Sequence, residues 1–83
     1  MDKILVEVFI PAANQTYDVF LPLKTKVHEV VFLLANTMTE LSQGYFTGSD
    51  HTILCDRNTG TILNINSSAE ELGLLNGTKL MLI

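Results

Sequence analysis

From Lys3 to Ile10 the chain alternates with a period of two: Ile4, Val6, Val8 and Ile10 share one side, and Lys3, Leu5, Glu7 and Phe9 the other. A two-residue period with β-branched residues on one side predicts a strand whose inward set is Ile4, Val6, Val8 and Ile10. Residues 11–15 are turn material, and residues 17–21 alternate again with Tyr17, Val19 and Leu21 inward, so the two runs predict a hairpin. From Thr25 to Leu41 the period changes. Val27, Val30, Val31, Leu34, Met38 and Leu41 recur at three- and four-residue steps, the stripe of an amphipathic helix. Thr25 is placed to cap it, Pro22 keeps the preceding strand from running on, and Gly44 supplies the left-handed residue at its end.

Beyond the helix the elements shorten. Residues 42–50 form a polar loop carrying Tyr45 and Phe46, which are expected to pin the loop to the body and cover Phe32 and Leu33. Residues 52–55 predict a third strand, and Ile62-Leu63 the stub of a fourth. Ser67 stands three before Glu70 and Ser68 three before Glu71, a capping-box spacing that predicts one helical turn closed by Gly73. Asn76-Gly77 is a tight-turn pair leading into a last strand over 78–83. The helix must cover one face of a mixed sheet, because nothing else in the chain can. The last strand is expected in the centre, parallel to the first, since the long intervening segment provides the crossover a parallel pair needs. The fold class is therefore α+β, a β-grasp: four to five strands packed on one main helix, in the order ββαββ(short helix)β.

Eighty-three residues form one domain, 1–83, with no room for a second core. A composition 47 % apolar and 17 % charged is that of a folded chain. The net charge of −4, with only five scattered Lys and Arg, argues against nucleic acid as a partner. No apolar run approaches the roughly 18 residues of a membrane span, and Met1-Asp2-Lys3 does not open a signal peptide, so direct membrane insertion is not expected and the cytoplasm is.

Cys55 is the sole cysteine, which leaves no disulfide framework or four-cysteine metal site. Level with Ile53 in the alternation, it reads as a small core hydrophobe. His28 and His51 lack further ligands at metal spacing, and Glu70-Glu71 point apart as neighbours on a turn. No phosphate loop follows Gly44 or Gly48. With no catalytic constellation in the sequence, no enzyme activity and no cofactor are expected.

One feature rises above background. If the inward sets pack on the helix, the outward sets leave Leu5, Phe20, Leu54, Met81 and Ile83 on the open face of the sheet with few charges between them. Contiguous apolar residues on a small domain mark a contact surface. These five are the candidate partner-binding residues, and Leu54→Asp and Met81→Asp are expected to leave the fold intact while weakening binding. Burial of the set by a one-residue shift of register is the competing reading.

The hairpin, the helix, the strand at Ile53-Leu54-Cys55 and the run Leu72-Gly73-Leu74-Leu75-Asn76-Gly77-Thr78 occur in the order and spacing of the ubiquitin-like superfamily, which the chain resembles over nearly its whole length. Within it, Tyr17-Asp18-Val19-Phe20-Leu21, Lys26-Val27-His28-Glu29-Val30 and Leu74-Leu75-Asn76-Gly77-Thr78-Lys79-Leu80 are similar to the YukD-like (EsaB-like) proteins of Gram-positive type VII secretion systems. That resemblance implies a cytoplasmic accessory or regulatory component acting by protein–protein contact, with a membrane secretion subunit or its ATPase as partner. By the same resemblance Leu54 stands where ubiquitin carries the centre of its recognition patch. No Gly-Gly tail follows Leu82-Ile83, so conjugation is not expected. The alternative is a homo-oligomeric assembly protein that uses the same apolar face.

Overall fold

The computed structural model describes residues 2–83; the reading of Met1 at the chain start lies outside them. Strand β1 (Lys3–Ile10) pairs antiparallel with β2 (Gln15–Pro22), joined by a 3-10 turn over Pro11–Ala13. Asn14 closes that turn in the left-handed region at φ 49°, which Asn tolerates better than most residues. Helix α1 (Val27–Leu41) follows, then two short strands, β3 (Leu54–Asp56) and β4 (Lys79–Leu82). The sheet order is β2-β1-β4-β3: β4 lies beside β1 and parallel to it, and β3 is antiparallel to β4. The result is the expected mixed sheet with one helix across a face.

Both inward sets of the hairpin point as the alternation requires. Ile4, Val6, Val8, Ile10 and Leu21 are buried, while Tyr17 and Val19, on the edge strand, are half-buried against the same core. From α1 come Val27, Val30, Leu34 and Met38, from β4 Leu80 and Leu82, and from the loop after α1 Phe46. Val31 is only half-buried and Leu41 is exposed, so the buried stripe is narrower than the periodicity suggests.

The start of α1 is capped differently from expectation. Its N-cap is Lys26, with no side-chain cap, and Thr25 plays no such part. The first amide protons are instead taken by a distant segment: Val27 N–H donates to the Ser67 carbonyl at 2.8 Å and His28 N–H to that of Ile65 at 3.1 Å. Backbone carbonyls thereby satisfy donors that a helix start otherwise leaves to side chains or water. The predicted helical turn over 67–73 is a run of turns, but the capping box at Ser68 and Glu71 does form. Ser68 N–H donates to Glu71 Oε1 at 2.9 Å, and Glu71 N–H to Ser68 Oγ at 3.2 Å. Those hydrogen bonds, then the Lys26 ammonium at 3.9 Å, hold the Glu71 carboxyl below its ordinary range.

After α1, Gln43 and Gly44 both take positive φ and turn the chain back over the helix. Ser42 Oγ accepts from Phe46 N–H at 2.9 Å, a bond that sets Phe46 into the core. Tyr45 remains exposed. The loop does not cover Phe32 and Leu33, which stay in solvent. Its contact with α1 is made further along, where Gly48 lies directly against Ala35.

Candidate docking surface

The sheet face away from α1 is built in rows by the strand register. Leu5 lies opposite Phe20, Glu7 opposite Asp18, and Phe9 opposite Thr16. On the other side of β1, Lys79 is level with Glu7 and Met81 with Phe9, and β3 sets Cys55 opposite Met81. Ile53 and Ile83 exchange both backbone hydrogen bonds, at 2.6 and 2.9 Å, which extends this last ladder by one pair.

This register corrects the placement of one candidate. Leu54 is opposite Leu82, whose side chain is in the core, so Leu54 is in the core too and is only 2 % exposed. Residues directly opposite each other share a face. Ile53, Leu54 and Cys55 are all apolar, so alternation alone could not tell the two faces of β3 apart; the partner strand decides. Cys55 consequently takes the outward side opposite Met81, although it is buried and therefore no part of an accessible patch. Its thiol donates to the Met81 carbonyl at 3.5 Å. Burial, and secondarily the charge of Asp56, push its pKa up. A protonated, buried thiol is a poor nucleophile. Native Cys55 is therefore expected to label with a thiol reagent at pH 8 at least about 100-fold more slowly than the denatured chain, because reaction waits on opening. Equal rates in both states would show the site to be open.

The other four candidates are divided by a charged row. Leu5 (39 % exposed) and Phe20 (60 %) sit together at one end, while half-buried Met81 and exposed Ile83 lie beyond Glu7, Asp18 and Lys79. The expectation of few intervening charges is thus not met. Phe9, which shares a row with Met81, is half-buried beneath the Arg57 guanidinium, 4.3 Å from its ring centre. The Leu5–Phe20 end is the more open one. There a shallow hollow of about 640 Å³ is lined by Lys3, Leu5, Glu7, Asp18, Phe20 and Asn76. Its wall is held by the 76–77 turn: Leu5 N–H donates to Asn76 Oδ1 at 2.8 Å and Gly77 N–H to the Leu5 carbonyl at 2.8 Å. The Lys3 ammonium lies 4.9 Å from the Phe20 ring centre, a contact worth about 0.5–1 kcal/mol at an exposed site. Glu7 and Asp18 are like charges directly opposite one another, an arrangement that costs stability in an isolated sheet.

Among the described residues no three His, Cys, Asp or Glu side chains gather in a metal-holding group. No helix among them is long and apolar enough to cross a membrane.

The helix crossing a mixed sheet, with β4 between β1 and β3, is the arrangement shared with solved ubiquitin-like structures. The fold is ubiquitin-like. The ubiquitin-like domain of the Mycobacterium tuberculosis type VII secretion system protein EccD1 matches all of this chain and 99 % of its own length, at a TM-score of 0.66 and 16 % identity. A chain of the ESX-5 inner membrane complex matches all of this chain over 21 % of its own length, at 0.73 and 16 %. The ubiquitin of Caldiarchaeum subterraneum matches 98 % of this chain and 91 % of its own, at 0.70 and 17 %. No protein-family model and no curated protein matches by sequence. At these identities the likeness is one of ubiquitin-like fold.

Proposed function

We propose that the chain is a non-enzymatic ubiquitin-like interaction module, a cytoplasmic accessory or regulatory component of a type VII secretion system. Its docking site is the open sheet face at Leu5 and Phe20, with Met81 and Ile83 at the periphery. The observation that carries the site is the Leu5–Phe20 pair, exposed side by side on adjacent strands next to the like charges of Glu7 and Asp18, which face each other. A partner that presents an aliphatic or aromatic group to the hollow and a cation to the two carboxylates would remove apolar surface from water and relieve the like-charge contact. Support for the secretion context is the YukD-like run of residues together with the likeness to the EccD1 domain and to a chain of a secretion membrane complex. A membrane secretion subunit or its ATPase is the expected partner.

Affinity capture from the cytoplasm and solubilised membranes of a cell with such a system tests the reading, comparing wild type with the double variant Leu5→Asp/Phe20→Asp. Both side chains are on the surface, so circular dichroism should find the variant folded. Recovery of a secretion subunit that falls at least about 10-fold in the variant is the expected result, the loss of roughly 1.4 kcal/mol or more of binding. Undiminished recovery would overturn the sheet-face site. Recovery of nothing but the chain itself would favour the homo-oligomer.

A further inference from the structure

The surface of α1 turned away from the sheet is apolar where a solitary helix face is ordinarily polar. Phe32 is 66 % exposed and Leu33 57 %, and with His28 and Glu29 they line an open hollow of about 600 Å³. His28 is also on the rim of a second hollow of about 220 Å³, whose floor includes Val31, Ile53, Leu63 and Ile65 and whose edge carries Asp50. The two hollows therefore adjoin at His28. Their charge is one-sided. Neither hollow is lined by a Lys or Arg; Glu29 borders the first, Asp50 the second, and His28 both.

From this we infer a second docking surface, centred on Phe32 and Leu33, for an amphipathic helical segment whose apolar anchors are flanked by Lys or Arg. Charge complementarity selects that occupant. A neutral or acidic segment would fill the hollows yet leave Glu29 and Asp50 at their edges unpaired, whereas basic flanks pair with them. A second copy of this chain, docked through the same face, is disfavoured for the same reason, since it would set Glu29 and Asp50 of one copy against those of the other. Leu5 is on the opposite side of the sheet from α1, whereas Phe20 and Leu33 line one further hollow at the β2 edge, so Leu5 is the position that tells the two surfaces apart. This inference stands whether or not the sheet face docks anything.

The test uses two synthetic helical peptides with an identical face of one Phe and two Leu, one flanked by Lys and Arg and the other by Glu, titrated into the whole isotope-labelled chain and followed by amide NMR. The basic peptide is expected to shift amides of α1 around Phe32 and Leu33, to bind at least about 10-fold more tightly than its acidic twin, and to lose about that factor as salt rises from low to roughly 0.5 M. Leu33→Asp, at an exposed position, should abolish the shifts with the fold intact by circular dichroism, whereas Leu5→Asp should leave them unchanged. Equal affinity of the two peptides, binding by neither, or shifts centred on Leu5 would each overturn the inference. Concentration-dependent dimerisation in the ultracentrifuge that disappears in Leu33→Asp would assign the face to a second copy and overturn it as well.

Discussion

Leu54→Asp is expected to unfold the chain rather than to weaken a contact. Leu54 is 2 % exposed and faces the core opposite Leu82. A carboxylate there has no Lys or Arg to pair with: the core cluster that Leu54 belongs to is wholly apolar, and the hollow it borders is lined by neither. The loss of a buried leucine costs about 2–5 kcal/mol, and an unpaired buried charge adds to it. Against a total of roughly 5–15 kcal/mol, in a domain at the small end of the range, the folded state does not survive. Urea denaturation of Leu54→Ala, which retains enough structure to measure, should show a lower midpoint at an unchanged slope, together equal to a loss of about 2–5 kcal/mol. A Leu54→Asp variant with native circular dichroism and near-native stability would return Leu54 to the surface and restore the register read from alternation.

Gly48→Ala should have the second-largest effect, for a steric reason invisible in the sequence. A Cβ on residue 48 would lie 2.6 Å from the Ala35 Cβ, and 3.0 and 3.1 Å from the Ala35 carbonyl oxygen and carbon. The loop cannot simply lift away. Gly48 N–H donates to Thr39 Oγ1 at 2.9 Å, and that hydroxyl in turn donates to the Ala35 carbonyl at 2.7 Å, tying loop to helix at the point of collision. Overpacking of this kind costs about 1–3 kcal/mol. Ala35→Gly removes one of the three clashing atoms but leaves the helix backbone in place, and by itself costs about 1 kcal/mol of helix propensity. The double variant Gly48→Ala/Ala35→Gly should therefore be more stable than the sum of the single effects predicts, by about 0.5–1 kcal/mol, with only partial rescue. Strict additivity in denaturation experiments would show that the two residues do not touch.

These two positions mark how far the sequence carries. β1, β2 and α1 were legible because each is long enough for its period to be unambiguous: four β-branched residues on one side of β1, and Val27, Val30, Leu34 and Met38 along one stripe of α1. The parallel β1–β4 pairing followed from the lengths between elements. β3 was not legible in the same way. Three residues long, with apolar side chains at 53, 54 and 55, it offers no alternation to read, so Leu54, expected on the surface, is in the core, while Cys55 is buried as expected but on the outward side opposite Met81. Four of the five candidate surface residues kept a place outside the core, yet the Glu7–Asp18–Lys79 row that separates Leu5 and Phe20 from Met81 and Ile83 depends on cross-strand register, which no single strand records.

Sequence by itself determined the order of β1, β2, α1 and the last strand, the inward faces of the hairpin, the residues Val27, Val30, Leu34 and Met38 of the buried stripe of α1 and the tight turn at Asn76-Gly77, because each follows from local periodicity or from the conformational freedom of one residue pair. The expected strand at Ile62-Leu63 is only an isolated bridge. Tertiary structure alone decided the facing of β3, the capping of α1 by the carbonyls of Ile65 and Ser67, the close approach of Gly48 to Ala35 and the exposure of Phe32 and Leu33. Each of these depends on which distant segment arrives at a given point. A residue's own side chain and its near neighbours specify a period, but only the partner across the fold settles which side of that period meets water.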